Sequence, residues 1–400
     1  MNTYLLIISF IVSTLVHYFL LSKKGEVLYV NKRIFKISIC IVTFFQLLTA
    51  FLYVEKVSDV YLFKSAGNYL RQKIDFYWID SDHTQYPFFP FLIFMHAGLD
   101  FISESIPYLT FMFLIKTVLL IPLHYIGFWL QSNAQTLLAG RKKYLELITS
   151  PIIYAVIFFH GQIDIILIAF FILSITYLEK KDSYKNMALS AVLFAASIAS
   201  KTWSIVFSPL LLWHKRKDWK IIPYFLFTGF LLLANVFLYT RYVDGSSVST
   251  VLPALLKPGG PVGIWGITLL PPITEYLMQH KLLIYALLLG VGYLLLIRTK
   301  YSLIKILTLF IMWLYIVSIH WAVQYLIWII PFTILFTDWL GKKWVFQFHL
   351  GASLYVLLNY INVANNSQTI NTNLIMFIGV YLFVLLVTKF IEKIKAAAVI

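Results

Sequence analysis

The sequence predicts an all-α fold, a polytopic transmembrane helical bundle. Of its 400 residues, 60% are hydrophobic and only 12% are charged, roughly half the charged fraction of an ordinary soluble domain. Apolar stretches long enough to cross the hydrocarbon core, about 17 to 25 residues, recur along the chain. They leave no room for a soluble domain of any size, so residues 1–400 are interpreted as a single integral-membrane domain.

Thirteen hydrophobic segments make up the predicted bundle. The first is interpreted as a span and not as a signal peptide, because it lacks a basic start and a small-residue cleavage site. Segments 147–160, 187–200 and 203–213 are too short to cross alone, and the last two are expected to form a hairpin that dips into the membrane. A short helix over 88–98 is expected to lie along the membrane surface. The thirteen segments are 2–21, 36–54, 107–130, 147–160, 163–178, 187–200, 203–213, 221–239, 282–297, 303–319, 322–337, 344–361 and 371–388.

The net charge of +15 reflects membrane topology and not nucleic-acid binding. Most of the 32 Lys and Arg residues lie in alternate short loops between the hydrophobic segments. Loops rich in cations stay in the cytoplasm, which predicts a multi-pass protein of the plasma membrane with its N-terminus outside and its C-terminus inside. The cation-rich stretches are 22–36, 131–146, 179–186, 214–220, 298–305, 338–344 and the segment after 388.

The opposite face has the two longest loops, 55–106 and 240–281. Long loops usually carry function, whereas short ones only connect, so these two are expected to form an extracytoplasmic active-site face. The acidic residues on this face are Glu55, Asp59, Asp75, Asp80, Asp82, Asp100, Glu104, Asp164, Asp244 and Glu275.

Several common chemistries find no support in the sequence. There is no P-loop and no GxGxxG pattern, so nothing favours an ATP-driven pump or a cytoplasmic nucleotide-sugar domain. The HExxH pattern is also missing. The single cysteine, Cys40, allows no disulfide within the chain and supports no thiolate metal site.

Asp59 is the first candidate catalytic residue. It opens the stretch SDVYLFKSAGNYLRQK just after segment 36–54, and this stretch predicts a helix at the membrane surface with Ser58 as its N-cap. A carboxylate in a first helical turn is favourable simply because it faces the positive end of the helix dipole. A catalytic base is the alternative interpretation of the same carboxylate.

Asp164 and Lys201 are ionisable residues predicted at membrane depth. Such groups are costly there and are functional candidates by default. Asp164 could instead cap the span that follows it, and Lys201 could either bind a phosphate or extend toward lipid headgroups. Lys116 lies inside a hydrophobic segment, where an acid such as Asp164 or Glu104 could pair with it.

The loop sequence KPGGPVGIWGITLLPP is the main feature of segment 240–281. Its glycines and prolines permit tight turns and a close approach of the backbone to a ligand. Trp265 within it could stack on a sugar ring or be a buried packing residue.

Four stretches together resemble the GT-C superfamily of integral-membrane glycosyltransferases, in particular the polyprenol-phosphate-mannose-dependent mannosyltransferases. In that family an Asp shortly after a span is followed by Tyr-Pro-Pro or a close variant. Here the second proline is displaced in QYPFFPFLIF. The four stretches lie in family order between residues 58 and 335, and they are SDVYLFKSAGNYLRQ with QYPFFPFLIF, HGQIDIILIAFFILSITYLEKK, ALSAVLFAASIASKTWSIVFSPLLLWH and HWAVQYLIWIIPFTIL.

The resemblance implies a GT-C-like fold and transfer of mannose or another hexose or pentose from a polyprenyl-phosphate donor to a lipid- or glycan-linked acceptor. Asp59 would be the general base of an inverting displacement, with Asp164 orienting the acceptor hydroxyl or assisting Asp59. No cofactor beyond the donor is implied, and dependence on a divalent metal stays open. The residues expected to bind phosphate or sugar are Lys201, Arg241, His320, Gln324, Tyr86 and Trp265.

Two other classes remain as alternatives. A transporter or flippase is expected to have inverted repeats with charges near the bilayer midplane, whereas the sequence shows no such repeat and its charges cluster at one face. A polysaccharide polymerase or ligase is expected to have arginine-rich outer loops, whereas the outer face here has only Arg71 and Arg241. The expected partners are the lipid donor, the acceptor and membrane lipids, with no nucleic acid.

Overall fold

The computed structural model describes residues 2–53, 58–79, 88–106, 108–180, 183–256, 279–318, 322–364 and 372–398. This part of the chain is almost entirely helical and contains no β-strand. The predicted all-α class is therefore confirmed.

The first half of the described chain consists of helices joined by short connections. In chain order they are α1 (Asn2–Leu21), a 3-10 helix (Lys23–Glu26), α2 (Val27–Val30), α3 (Lys32–Leu52), α4 (Ser58–Arg71), α5 (Phe76–Ile79), α6 (Pro90–Ser105), α7 (Phe111–Val118), α8 (Leu120–Ser132), α9 (Leu137–Ile148), α10 (Pro151–Tyr154), a π-helix (Ala155–Phe159) and α11 (Asp164–Leu178).

The second half continues in the same manner. Its helices are α12 (Tyr184–Ser200), a 3-10 helix (Thr202–Phe207), α13 (Ser208–His214), α14 (Ile221–Tyr242), α15 (Val248–Leu256), α16 (Lys281–Leu296), α17 (Leu303–Val317), a 3-10 helix (Val323–Trp328), α18 (Ile330–Leu335), α19 (Thr337–Leu340), α20 (Lys342–Ala364) and α21 (Thr372–Ala398).

The number of membrane spans is smaller than the sequence predicts. Four helices in the described residues are long and apolar enough to cross a membrane, and a fifth candidate is a pair bent by 87°, Ile7–Leu21 with Lys23–Val30. Counting also the shorter apolar helices, the described chain has about four to nine candidate spans, so the expectation of thirteen is wrong. The four long helices are Lys32–Leu52, Phe111–Ser132, Ile221–Tyr242 and Asn373–Ala397, and the shorter ones are Asp164–Leu178, Leu283–Leu296, Leu303–Val317 and Val323–Leu335.

Breaks in the helices within apolar sequence explain why the sequence predicts more spans than the structure has. Segment 147–160 is interrupted before Pro151, since a proline ring cannot continue the helix that precedes it. Segments 187–200 and 203–213 are separated by Lys201, whose backbone is extended with φ −163° and ψ 130°. The short helix expected over 88–98, which is not one of the thirteen segments, is observed as α6 (Pro90–Ser105) and buries its apolar face within the bundle. Composition measures how apolar a stretch is but not where its helix ends.

Helices α11 and α12 form an antiparallel hairpin near the centre of the fold. Helix α11 is apolar on every side and mostly buried, as expected of a helix enclosed by others. The hydroxyl of Ser174 donates to the Ser190 carbonyl at 2.9 Å and the hydroxyl of Ser190 to the Ser174 carbonyl at 2.8 Å. Two turns further along, the Ser197 hydroxyl donates to the Leu167 carbonyl at 2.9 Å. These bonds fix the register that brings the end of α12 to the start of α11.

Helices α4 and α6 cross closely at a glycine. A Cβ added at Gly67 would lie 2.6 Å from the carbonyl oxygen of His96 on α6. At the end of α4, Arg71 donates to Asp100 at 2.8 Å and pairs with Glu104 at 2.6 Å. The glycine crossing and the arginine pairs together hold α4, whose first turn carries Asp59, against the bundle.

We expect Gly67→Ala to lower the thermal stability of the purified protein and Gly98→Ala to leave it unchanged or slightly higher. The new methyl group at residue 67 must displace backbone atoms of α6, and such overpacking costs about 1–3 kcal/mol. Gly98 is exposed with no atom within 4 Å of its added Cβ, so alanine there only improves helix propensity. Equal melting midpoints for the two variants, measured in the same detergent, would contradict the close crossing.

Candidate active site

The candidate site is built around the turn that leads into α11. The π-helix Ala155–Phe159 ends at His160, and Gly161 follows with φ +73°. Glycine suits this position because a side chain is strained at positive φ, and because an added Cβ would lie 2.9 Å from Cγ2 of Val60. Single-turn π-helices inside apolar helices occur frequently at functional sites. The turn thus brings the start of α11 against the first turn of α4.

Asp164 and Lys201 form a buried ion pair. The Lys201 Nζ donates to Oδ1 and Oδ2 of Asp164 at 2.8 and 3.1 Å, and Trp328 Nε1 donates to Oδ1 at 2.7 Å. The Asp164 side chain is fully buried and that of Lys201 is 8% exposed. The Lys201 ammonium also lies 4.7 Å from the ring centre of Tyr325. Lys201 is therefore held inside the protein and does not extend toward lipid headgroups.

Asp59 lies beside this pair. The side-chain amide of Gln162, which lies in the turn two residues before α11 begins, donates a hydrogen bond to Asp59 Oδ2. The Lys201 ammonium is within electrostatic reach of Asp59 as well as of Asp164. Two carboxylates predicted separately from the sequence are thus brought to one place by α4 and α11.

His160 and Tyr360 line the same place. Their rings stack with centroids 5.0 Å apart and planes inclined by 24°. Both residues lie within electrostatic reach of Asp59 and Asp164. The His160 Nδ1 and the Tyr360 hydroxyl are buried, and within the described part of the chain neither has a hydrogen-bond partner.

Lys116 contributes the second buried cation. Its Nζ donates to the backbone carbonyl of Tyr53 at 2.7 Å and lies 5.1 Å from the centre of the Tyr53 ring. Lys116 also acts electrostatically on His160. Glu104, one of the acids that the sequence suggested for it, pairs with Arg71 instead. Two carboxylates and two ammonium groups therefore act electrostatically on His160.

The other predicted site residues are more scattered. Arg241 is exposed near the end of α14, with its guanidinium 5.0 Å from the ring centre of Phe237 on the same helix. Gln324 is partly buried in the 3-10 helix that also carries Trp328. Three predicted ligands lie outside the described residues, namely Tyr86, Trp265 and His320.

Two cavities in the described chain lie away from this site. One, of about 530 Å³, is lined by Tyr177, Lys180 and residues 214–218, beyond the opposite end of α11 from Asp164. The other, of about 350 Å³, is lined among others by His17 and His349. Neither is lined by a residue of the carboxylate cluster. Among the described residues, no group of His, Cys, Asp and Glu side chains is arranged to hold a metal ion.

Sequence reasoning missed four residues of this cluster. His160 and Gln162 lie inside the HGQID stretch that singled out Asp164, so their positions in a tight turn were a signal. Trp328 lies in the QYLIW stretch in the same way. Tyr360 carried no local signal, because it lies near the end of an ordinary apolar segment and reaches the site only through tertiary packing.

We expect Lys201→Met to destabilise the protein by about 3–5 kcal/mol, because it leaves the Asp164 carboxylate buried without its counter-ion. Adding Asp164→Asn should recover much of this loss. A matched control is Lys342→Met, which breaks the exposed pair between Lys342 and Asp338 at 3.5 Å and should cost less than about 1 kcal/mol. Thermal unfolding in one detergent measures these three variants and Asp164→Asn alone. A double variant as unstable as the two single changes added together would contradict the ion pair.

Comparison with known protein families gives one finding that bears on the class of protein. The model of glycosyltransferase family 87 matches residues 85–250, somewhat less than half of the chain. The match contains Asp164, Lys201 and Arg241, while Asp59 precedes it. No curated protein matches the chain. The match favours a transferase over a transporter or a polymerase. Glycosyltransferase family 87 is a GT-C-type membrane glycosyltransferase family, so the match confirms the resemblance to the GT-C superfamily and indicates that this membrane protein is a glycosyltransferase.

Proposed function

We propose that the protein transfers a sugar from a polyprenyl-phosphate donor to a hydroxyl group of a lipid- or glycan-linked acceptor, with inversion at the anomeric carbon. The observation that carries the proposal is that Asp59, which accepts a hydrogen bond from the Gln162 amide, lies beside the buried ion pair of Asp164 and Lys201. An acceptor hydroxyl is a poor nucleophile, and a carboxylate within hydrogen-bond reach can remove its proton as it attacks. As the acceptor oxygen bonds to the anomeric carbon, the bond from that carbon to the phosphate oxygen breaks, and polyprenyl phosphate leaves with the electron pair.

The two carboxylates suit different roles. Asp59 is partly buried and is oriented by the Gln162 amide, which fits a base that must point at an incoming hydroxyl. Asp164 is fully buried and accepts hydrogen bonds from Lys201 and Trp328. We therefore assign proton removal to Asp59, while Asp164 assists by holding the ammonium group of Lys201 near it.

The donor phosphate requires cationic ligands. Charge-assisted hydrogen bonds to phosphate are stronger than neutral ones, and the low dielectric near lipid strengthens them further. The proposed ligands are Lys201, Arg241 and His320. Tyr86, Trp265 and Gln324 are the proposed sugar ligands, and mannose is the first sugar to test.

The proposed location is the plasma membrane, with the carboxylate cluster facing outward and loops 55–106 and 240–281 forming that face. Helix α11 supports this orientation, because Asp164 begins it and Lys180 lies just beyond its other end. Lys180 and residues 214–218 line one cavity at that other end. Clustered cations of this kind mark a cytoplasmic face.

We expect Asp59→Asn to lower transfer by about 10²- to 10⁴-fold, because it removes the base but keeps the shape of the side chain. The assay supplies radiolabelled polyprenyl-phosphate mannose, and in parallel other polyprenyl-phosphate hexoses and pentoses, to membranes with lipid-linked acceptors. Asp244→Asn is the control, since Asp244 is an exposed acid on the same predicted face. Donor binding should survive in both variants. Near-normal turnover by Asp59→Asn would refute the assignment.

Single-cysteine labelling tests the orientation. Starting from Cys40→Ser, one variant carries Lys217→Cys and another Asp244→Cys, at two exposed positions. In intact cells, a membrane-impermeant maleimide should label residue 244 at once and residue 217 only after permeabilisation. Labelling of residue 217 from outside would reverse the proposed topology.

A further inference from the structure

The pair formed by His160 and Tyr360 has no role in the proton transfer described above. Tyr360 is 6% exposed, and its hydroxyl and the His160 Nδ1 are both buried without a hydrogen-bond partner among the described residues. Most buried polar side-chain atoms in proteins have a partner. The two unpartnered atoms lie on stacked rings near the carboxylates of Asp59 and Asp164. This arrangement indicates that a bound ligand supplies their hydrogen-bond partners.

The charges around the pair decide which ligand chemistry fits. Asp59 and Asp164 act on both rings, and Lys116 and Lys201 act on His160. The four charges balance, so they give an anionic group at the two rings no net attraction. A neutral group that both donates and accepts hydrogen bonds matches an imidazole nitrogen and a phenol hydroxyl.

We propose that His160 and Tyr360 form a sugar-binding subsite in which ring hydroxyl groups of a substrate sugar hydrogen-bond to His160 Nδ1 and to the Tyr360 hydroxyl. The subsite positions that sugar beside Asp59. This inference rests on the proposed function only in taking a sugar as the substrate. It assigns to the stacked pair recognition of the sugar and no share in proton transfer.

The packing of α20 explains how Tyr360 can serve in this way. Helix α20 is a 23-residue helix that carries Tyr360 near its C-terminal end. The ring of Tyr360 is fixed by stacking on His160, while its hydroxyl is left without a structural bond. A rigid aromatic ring with a free polar tip can bind a ligand at little cost in side-chain entropy.

The test uses Tyr360→Phe, which removes only the unpartnered hydroxyl. Saturation-transfer NMR on the full-length protein in detergent, with methyl α-mannopyranoside and methyl β-glucopyranoside as probes, reports sugar binding directly. We expect a signal from at least one probe with the wild type and at least a several-fold loss with Tyr360→Phe. The second variant is His160→Phe, which keeps a ring for stacking but has no Nδ1, and it should show the same loss.

Tyr301→Phe is the matched control, because its hydroxyl donates to the Lys393 carbonyl at 3.0 Å far along the chain from the site. It should leave sugar binding unchanged and lower the melting midpoint slightly. Tyr360→Phe should leave the midpoint unchanged or raise it, because no folded-state hydrogen bond is lost. A melting loss in Tyr360→Phe as large as in Tyr301→Phe would show a structural partner and overturn the proposal.

Sugar binding by Tyr360→Phe equal to that of the wild type would also overturn it, as would the lack of any probe signal with the wild type. Transfer kinetics then separate the two sources of sugar, since Tyr360→Phe raises KM for the donor if the donor sugar is bound and for the acceptor otherwise. The outcome is independent of Asp59. Active Asp59→Asn with impaired sugar binding by Tyr360→Phe would refute the base and keep the subsite.

Discussion

The buried ion pair between Asp164 and Lys201 is the interaction on which the rest of the candidate site depends. Removing two charges from water is costly, and the cost is offset only where geometry is good and the remaining lone pairs are satisfied. Here the ammonium group meets both carboxylate oxygens, and the Trp328 indole supplies another donor. The pair joins the start of α11, the end of α12 and the 3-10 helix Val323–Trp328 at one point.

The serine contacts between α11 and α12 make this pair possible. Ser174 with Ser190, and Ser197 with Leu167, are successive contacts of one antiparallel register. If this register is continued by one more turn, Asp164 lies opposite Lys201. A slip of α12 by a single residue would rotate the lysine by about 100° around the helix axis and leave the carboxylate unpaired. Polar bonds inside an apolar hairpin therefore determine where the charged groups meet.

Asp59 reaches the site by a different route. It is carried on α4, which is held against α6 by the Gly67 crossing and by Arg71. The positive φ of Gly161 lets the turn pack on Val60, one residue from Asp59. Two separately stabilised helices therefore meet at the site: α11 is held by the buried ion pair, and α4 is held by its close packing on α6. Such support keeps the Asp59 carboxylate in a fixed orientation.

Part of this arrangement follows from the sequence, and part of it could not. The all-α class and the helix starting near Asp59 follow from local pattern, because helix starts leave a local trace. The span count failed because a proline at residue 151 and the extended Lys201 break apolar runs that composition treats as continuous.

The contacts within the site lie beyond local pattern altogether. The pairing of Lys201 with Asp164 and the stacking of Tyr360 on His160 join residues far apart in the chain. No periodicity encodes such contacts. The candidate residues were identified one by one from motifs, whereas which of them share a charge or a ring contact depends on the packed helices.

The most direct measurement is a cryo-EM map of the Asp59→Asn variant in lipid nanodiscs with a polyprenyl-phosphate sugar bound. The account predicts sugar density within hydrogen-bond distance of the residue 59 amide, with the Asp164–Lys201 pair intact beneath it. Donor density elsewhere, for example in the cavity lined by His17 and His349, with the carboxylate cluster empty, would contradict it.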